Sequence, residues 1–439
     1  MRPWGLILTA ISLLFPFIWF GGVAQGRDVV AVASQYMGIA ALIAMAIVQV
    51  IATRFAFVEW LFGGLDRSYI VHKWLGILAM GFILLHDTID AEMPNLGRQN
   101  MLEELAETLG ELSLYGLLIL VVITIATFIP YHLWRWTHRF MGAFFVAGSA
   151  HYLFILKPFK NGDPLGLYVS AFCVVGILAF TWRLLPSAMR PSRSYVVEKV
   201  ETTGNALSIE MTPDGKPLRH RAGQFAFVSF DGSEPHPFTI SSASSEDGRI
   251  RMSVARLGDY TSRLHKSLKT GTHARVEGPF GHFECPKKGP QIWVAAGIGI
   301  TPFLAWSQNL AETAGPVHLF YCTRDLNSAA HLEEIRSVAD SFENFVLRVH
   351  TSSDQGRVSA DMLLERSGLD ANDVTVSFCG PKQMRKDLLE GFKRQGVTGR
   401  RFRYEEFEIR TGIGLRRMAE LLFKRINLPD SVQSRLPRQ

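Results

Sequence analysis

Six long apolar stretches occupy the first part of the chain, and each is about long enough to cross a hydrocarbon core near 30 Å thick. They cover residues 4–20, 36–52, 70–85, 114–129, 140–156 and 167–184. We therefore expect a membrane α-helical bundle of six helices. The first stretch could instead be a signal peptide, because Arg2 precedes it. Its apolar core is longer than that of a usual signal peptide, which favours a retained helix.

From about Pro191 the pattern changes to short alternating runs broken by Gly, Pro and Asp. Those at 194–200, 207–211, 225–228, 249–254 and 273–277 predict the strands of an antiparallel β-barrel. The apolar runs at 292–295, 317–321, 345–349 and 374–378 are each followed by a helical segment, which is typical of an α/β domain with a parallel sheet. A barrel followed by such a sheet suggests a flavin module next to a nicotinamide module.

The charge distribution separates the same two parts. Residues 1–190 hold 12 Lys and Arg and 11 Asp and Glu, whereas the rest of the chain holds 34 and 29. Most basic residues of the first part lie in the proposed inner loops, and the loop 87–111 is acidic. Because an excess of Lys and Arg marks the cytoplasmic side, the C-terminal half should be cytoplasmic, whether or not the first stretch is cleaved.

Composition makes several other classes of protein improbable. The four cysteines, Cys173, Cys285, Cys322 and Cys379, lie far apart without a CxxC pair, so neither a disulfide framework nor a zinc ribbon is expected. The net charge of +6 is modest, and no basic run contains interleaved aromatic residues, so we expect no nucleic-acid partner.

Two pairs of histidines bracket two of the apolar stretches. His72 and His86 bracket the third, and His138 and His151 bracket the fifth. Imidazole is a common axial ligand of haem iron, and a histidine inside a membrane is usually functional. The two spans correspond to about 21 Å and about 20 Å of helix rise. They would hold an inner haem between His72 and His138 and an outer haem between His86 and His151.

An alternative is that these are interfacial histidines, which helix ends tolerate. On an ideal helix, moreover, His138 and His151 would point about 140° apart and could not face one partner. We therefore expect a kink or π-bulge in the fifth stretch, with Gly142 and Gly148 as candidate positions. His132 is left outside both pairs.

Two motifs in the barrel half suit a flavin nucleotide. The segment His236-Pro237-Phe238-Thr239-Ile240-Ser241-Ser242 places hydroxyl and N–H groups on one extended strand, where a flavin ring and its ribityl-phosphate tail need polar partners. The segment Gly258-Asp259-Tyr260-Thr261 could open a helix whose N-terminal N–H groups bind a diphosphate. Each motif alone is a weak signal, because Ser-rich strands and Gly-Asp turns are common on protein surfaces.

Three features of the α/β half suit a nicotinamide dinucleotide. The glycines of Ala296-Gly297-Ile298-Gly299-Ile300-Thr301-Pro302 would let a diphosphate approach the backbone, and Pro302 would start a helix. Cys379-Gly380-Pro381 ends a later strand at the same sheet edge, although Cys379 could equally be a buried strand residue. Arg324 could bind a 2′-phosphate and favour NADPH over NADH, or it could be a solvated surface arginine.

Together these motifs resemble those of the NADPH oxidase and ferric reductase group of membrane flavocytochromes, over roughly residues 1–410. The resemblance rests on the two histidine pairs, HPFTISS at 236–242, GDYT at 258–261, GPFG at 278–281, GIGITP at 297–302 and CGP at 379–381. It implies a six-helix haem domain in 1–190, an FAD-binding β-barrel in 191–290 and an NAD(P)H-binding α/β domain in 291–410, the last two forming a module like ferredoxin–NADP reductase. The implied cofactors are FAD, two b-type haems, and NADPH or NADH.

The resemblance also assigns residues to the cofactors. It implies that FAD is held by His236, Phe238, Thr239 and Ser242 and is covered by the aromatic ring of Phe407. The sequence motifs add Pro237, Ser241, Gly258, Asp259, Tyr260 and Thr261 to the FAD site. It implies that Gly297, Gly299, Thr301, Pro302 and Cys379 line the NAD(P)H site, to which the sequence motifs add Arg324, Gly380 and Pro381. The chain continues for 32 residues beyond Phe407. The basic amphipathic tail in 411–439 would lie on the inner leaflet or pack on the dehydrogenase.

The implied function is a transmembrane NADPH oxidase, which moves electrons from cytoplasmic NADPH through FAD and both haems to O₂ outside and gives superoxide. The unequal histidine spacing favours this over a ferric or cupric chelate reductase, since ferric reductases tend toward equal spacing. A second alternative is a haem-free, membrane-anchored flavin reductase of a quinone or a protein partner. We expect an integral protein in contact with lipid, in a bacterial inner membrane.

Overall fold

The computed structural model describes residues 2–89, 96, 101–126, 129, 131–185, 189–310 and 315–405. These residues divide after Leu185 into a helical unit and a β-rich unit. Phe407 and the tail 411–439, both named in the sequence predictions, lie outside the described residues.

The described residues of the helical unit form helices whose outer faces are apolar. They are α1 (Pro3–Leu14), α2 (Phe17–Val23), α3 (Val29–Ala52), α4 (Ala56–Phe62), α5 (Leu65–Thr88), α6 (Met101–Ile125), α7 (Tyr131–His138), α8 (Met141–Phe154) and α9 (Pro164–Leu184). Large side chains such as Ile18, Ile119 and Leu178 are exposed on these faces. Helices that are apolar on their outer as well as their inner sides suit a lipid environment.

Five segments are long and apolar enough to span a membrane: Pro3–Val23, Val29–Ala52, Leu65–Thr88, Met101–Ile125 and Pro164–Leu184. The predicted stretch 140–156 instead forms α8, whose 14 residues rise only about 21 Å. That length is less than the hydrocarbon thickness of about 30 Å. The predicted count of six spanning helices is therefore not confirmed.

The chain is interrupted between His138 and His151, as their predicted orientations require, but not at the glycines. Arg139 and Phe140 form a turn between α7 and α8. Gly142 and Gly148 lie inside α8 and serve close packing: a Cβ on Gly142 would overlap the Phe180 ring, and a Cβ on Gly148 would lie 3.0 Å from Ser113 Oγ. The expected kink positions are therefore corrected to the turn that precedes α8.

The β-rich unit begins with a curled antiparallel sheet of six strands in the order β4-β3-β6-β1-β2-β5. The strands are β1 (Arg193–Thr203), β2 (Ala206–Pro213), β3 (Phe225–Phe230), β4 (His236–Thr239), β5 (Ile250–Ala255) and β6 (His273–Phe280), with α10 (Asp259–Ser267) after β5. A bridge between Ile240 and Met252 brings the two ends of the sheet together. Inward-facing side chains such as Val197, Ile209 and Val228 are completely buried, so the predicted alternation corresponds to a real barrel core.

A parallel sheet of five strands follows, in the order β11-β10-β7-β8-β9. Its strands are β7 (Gln291–Ala296), β8 (Val317–Thr323), β9 (Phe345–Thr351), β10 (Thr375–Cys379) and β11 (Phe402–Tyr404), and its helices are α11 (Thr301–Ser307), α12 (Leu332–Ser341), α13 (Ser352–Gln355), α14 (Ala360–Ser367) and α15 (Lys382–Arg394). Because β7 and β10 are neighbours, their carboxyl ends bring GIGITP and CGP to one sheet edge.

Candidate functional site

His72 on α5 and His138 at the end of α7 face each other inside the helical unit. The centroids of their imidazole rings are 6.2 Å apart. Two metal–nitrogen bonds of about 2 Å, with about 1 Å from each nitrogen to its ring centre, would place the centroids about 6 Å apart. The spacing of the two rings therefore fits one metal ion bound between them.

In all four histidines of the predicted pairs, Nδ1 lies within hydrogen-bonding distance of a protein oxygen. The partners are Val48 O for His72 at 3.2 Å, Ser34 O for His86 at 2.9 Å, Thr124 Oγ1 for His138 at 3.5 Å and Ala106 O for His151 at 2.8 Å. An oxygen at Nδ1 favours the tautomer protonated there and leaves Nε2 as the nitrogen that can ligate a metal. The same arrangement at four positions suits ligands better than interfacial histidines.

The rings of the outer pair, His86 and His151, each lie against a helix glycine. A Cβ on Gly38 would lie 3.2 Å from His86 Nε2, and a Cβ on Gly110 would lie 2.7 Å from His151 Nδ1. A side chain at Gly110 would displace the His151 ring, and one at Gly38 would crowd the His86 ring, so both glycines leave space for the observed ring positions.

The helices that carry the outer pair make few contacts with each other, because α5 packs along α3 and α8 packs along α6. On α5, a Cβ on Gly76, one turn beyond His72, would meet no atom within 4 Å. Paired imidazoles beside open space are what bis-histidine haem ligation requires, so these residues fit the b-type haems that the resemblance implies.

The two flavin motifs meet in an aromatic stack. The rings of His236 and Tyr260 are parallel within 4°, with their centroids 3.6 Å apart. The stack lies at the N-terminus of α10, where Gly258 is the N-cap and Asp259 is exposed. Thr261 Oγ1 accepts hydrogen bonds from the N–H groups of Leu257 and Gly258 at 3.0 and 3.1 Å, which shapes this turn. A helix N-terminus beside an extended strand can bind the diphosphate of a flavin nucleotide.

Other members of HPFTISS contact the barrel rather than open space. Phe238 packs in the barrel core, and Thr239 is buried. Ser241 is completely buried, with its Oγ 3.0 Å from Ser253 Oγ. The hydroxyl of Ser242 accepts a hydrogen bond from the Arg251 N–H at 3.0 Å. His236 and Pro237 are the more accessible members of the segment, and the assignment of all six residues to FAD stays a prediction.

GIGITP and CGP are in direct contact at the carboxyl ends of β7 and β10. A Cβ on Gly299 would overlap the carbonyl oxygen of Cys379 and lie 2.6 Å from its carbonyl carbon. A Cβ on Gly380 would lie 2.6 Å from that of Ala296. Gly297 has a φ of +54° and open space where a Cβ would be, so a diphosphate can approach its backbone.

The remaining predicted dinucleotide residues lie around the same edge. Thr301 is buried and donates from Oγ1 to Ile298 O at 3.0 Å, whereas Pro302 and Pro381 lie at the starts of α11 and α15. Burial, with a smaller contribution from the Glu405 carboxylate, raises the pKa of the Cys379 thiol, so this thiol stays neutral. Arg324 is exposed directly after β8, a position compatible with a 2′-phosphate contact or with simple solvation.

The sequence predictions missed two residues, His220 and Gln224, that hydrogen-bond the backbone of the HPFTISS segment. His220 Nε2 lies 3.0 Å from Ser242 O, and burial lowers the pKa of His220, which keeps its ring neutral. The backbone carbonyl of Gln224 accepts a hydrogen bond from the Ile240 N–H at 2.9 Å, while its side-chain amide donates to Gly281 O at 3.1 Å. No spacing pattern marks either residue, because each bond joins distant parts of the chain.

Three family models match successive parts of the chain. A ferric reductase like transmembrane component matches residues 37–149, an FAD-binding domain matches 193–295, and an oxidoreductase NAD-binding domain matches 293–389. Together with the five apolar spans, these matches show an integral membrane protein that carries the FAD- and NAD-binding modules of NAD(P)H-dependent oxidoreductases. The predicted resemblance is confirmed at this level.

Individual relatives share parts of this organisation. The chain is 26% identical to the toluate 1,2-dioxygenase electron transfer component of Pseudomonas putida over 48% of its own length and 65% of the relative. It is 36% identical to the haem-dependent oxidative N-demethylase beta subunit of Ectopseudomonas mendocina over 33% of its length and 44% of the relative. It is 28% identical to rat Dual oxidase 2 over 54% of its length and 17% of the relative. Each alignment covers less than two thirds of the relative.

Proposed function

We propose that this chain is a transmembrane NADPH oxidase that binds two b-type haems, FAD and NADPH and reduces O₂ outside the membrane to superoxide. The observation that carries the proposal is the ring arrangement of His72, His86, His138 and His151, each with a protein oxygen at Nδ1. When bound, FAD would accept a hydride from NADPH and the haems would pass single electrons across the membrane.

The chain's own residues would bind and orient these groups. The Nδ1 contacts fix the imidazoles, and Gly38 and Gly110 leave the space that the outer rings occupy. His86 and His151 together would hold the outer iron through their imidazoles. The chain would thereby keep the acceptor away from the metal, and no acid–base side chain is required at the outer face.

Basic side chains support placing the His72 end of the helical unit on the cytoplasmic side. Arg2 donates from Nη1 to Trp60 O at 3.1 Å, which holds the N-terminus against α4. Arg54 donates from Nε to the Tyr69 hydroxyl at 2.8 Å, one turn before His72. Cationic residues next to an exposed tryptophan are typical of the inner membrane interface. We accordingly place the FAD- and NAD-binding modules in the cytoplasm.

A second candidate, a ferric or cupric chelate reductase with the same electron path, is favoured by the family model that matches residues 37–149. Assays of the purified full chain with NADPH separate the two. An oxidase should give cytochrome c reduction that superoxide dismutase suppresses, and the rate should vanish under argon. Ferric-chelate reduction at full rate under argon, with no detectable superoxide, would establish the reductase instead.

A further inference from the structure

Residues 241–243, which comprise the last two residues of HPFTISS and Ala243 directly after it, are fixed from two sides. On the barrel side, Arg251 of β5 donates from Nη2 to Ser241 O at 2.9 Å. On the side of the parallel sheet, the Ala243 N–H donates to Oε1 of Gln308, at the C-terminal end of α11, at 2.7 Å. The end of the helix that begins in GIGITP therefore contacts the residue directly after HPFTISS.

A half-buried ion pair strengthens this connection. Arg251 binds Glu334 of α12 with both terminal nitrogens, at 2.8 and 2.9 Å. Burial raises the pKa of Glu334, but hydrogen bonds from His331 and Arg251 outweigh that effect and hold the pKa at about 2. The carboxylate is therefore ionised at neutral pH and stays paired with the barrel arginine.

His331 lies between this carboxylate and the barrel. Its Nδ1 is 3.1 Å from Glu334 Oε2, and its Nε2 is 2.8 Å from Ser253 Oγ. The side chain is only 6% exposed. Its backbone has a φ of +56°, which is uncommon for a residue other than glycine, and its N–H donates to Thr203 Oγ1 at 2.7 Å. A strained backbone held by contacts in several directions is typical of residues that set a geometry.

The hydrogen bonds form one continuous path. Because Glu334 is ionised, His331 Nδ1–H donates to it and Nε2 faces the Ser253 hydroxyl. That hydroxyl lies 3.0 Å from Ser241 Oγ in the flavin segment. A path of four buried or half-buried side chains thus runs from α12 to HPFTISS.

We propose that His331 is a positioning residue, which fixes Ser241–Ala243, and with it the bound flavin, relative to the nicotinamide edge formed by Gly299 and Cys379. The proposal rests on the proposed binding of FAD and NADPH but on neither the haems nor the acceptor. Hydride transfer requires the reacting atoms in register, and a displacement of about 1 Å can cost about 100-fold in rate.

Anaerobic single-turnover reduction of the flavin by NADPH in the full-length holoprotein tests this. His331→Gly removes the ring while glycine accepts the φ of +56°, so backbone strain does not confound the result. We expect the limiting rate to fall about 10- to 100-fold. The NADPH dissociation constant should change less than about 2-fold, because the ring contributes to orientation and not to nucleotide binding.

Further variants keep the test informative if His331→Gly folds poorly. His331→Asn tolerates the same backbone and keeps a polar side chain, so it should lose less rate. Ser253→Ala breaks the same path, and combining it with His331→Gly should add little to the larger single loss. Arg336→Ala removes an exposed ion pair to Glu333 on the same helix and should change neither constant.

Two results would overturn the positioning role. One is a limiting rate in His331→Gly and Ser253→Ala within about 2-fold of the wild type, and the other is a rise in the NADPH dissociation constant at least as large as the fall in the limiting rate. Reduction of the wild-type flavin by NADPH shows whether it is the role of His331 or the proposed function that fails. A wild-type flavin that NADPH does not reduce contradicts the proposed function, whereas equal reduction in wild type and variants contradicts only the role of His331.

Discussion

Replacement of His86 or His151 by leucine is expected to halve the haem content of the purified protein and to abolish electron transfer from NADPH to an external acceptor. Leucine offers no ligating nitrogen, and the remaining imidazole would hold the iron from one side only. The inner pair should stay intact, because His72 and His138 have their own Nδ1 partners, Val48 and Thr124. Haem extraction and reduced-minus-oxidised absorption spectra measure both consequences.

His132→Leu is the matched control, since it removes the histidine of the membrane half that belongs to neither pair. Its haem content and NADPH-driven activity should equal those of the wild type. Full haem content in both His86→Leu and His151→Leu would show that the outer pair does not ligate iron. Flavin content should be unchanged in every variant, because the flavin motifs lie in the other unit.

Gly299→Ala is expected to lower the rate of flavin reduction by NADPH by about 100-fold. The new side chain should displace the sheet edge formed by GIGITP and CGP by about 1 Å, and a displacement of that size can cost about 100-fold in rate. The new Cβ would overlap the carbonyl oxygen of Cys379 and lie 2.6 Å from its carbonyl carbon. These are backbone atoms, so β10 or the GIGITP turn must shift, and overpacking of this kind costs about 1–3 kcal/mol. Stopped-flow absorbance of the flavin under argon measures the rate.

Gly399→Ala is a suitable control in the same domain, because its Cβ would come no closer than 3.9 Å to another residue. It should keep the wild-type rate. Dithionite should reduce the flavin of Gly299→Ala normally, since FAD binding uses other residues. If NADPH reduces the flavin of Gly299→Ala at the wild-type rate, the contact between GIGITP and CGP does not shape the dinucleotide site.

Periodic features of the sequence predicted most of the architecture. Long apolar runs identify α3, α5 and α9 because the bilayer requires that length. Alternating runs identify the barrel strands, and buried runs followed by helices identify the parallel sheet. The exception is α8, whose apolar run is as long as the others although its helix has 14 residues. The hydropathy pattern does not predict the turn at Arg139 and Phe140. That turn places His138 at the end of α7 instead of on α8 with His151.

Contacts between distant residues account for what the sequence did not predict. Ser253 and His331 are 78 positions apart, and Arg251 and Glu334 are 83 apart, so no local spacing connects them. The same holds for the oxygens at Nδ1 of the four histidines. Gly38 and Gly110 are visible in the sequence as glycines inside long helices. Because such a glycine lowers helix stability by about 1 kcal/mol relative to alanine, it indicates a packing or functional requirement. The reason, an imidazole against each, appears only in the packed helices.

The absorption spectrum of the purified wild-type chain under argon, before and after addition of NADPH, tests the central claim most directly. We expect sharp reduced bands of bis-histidine b-type haem that develop with NADPH, and two haems for each flavin after extraction. A spectrum with flavin bands alone, in protein that NADPH still reduces, would contradict this expectation and leave a membrane-anchored flavin reductase.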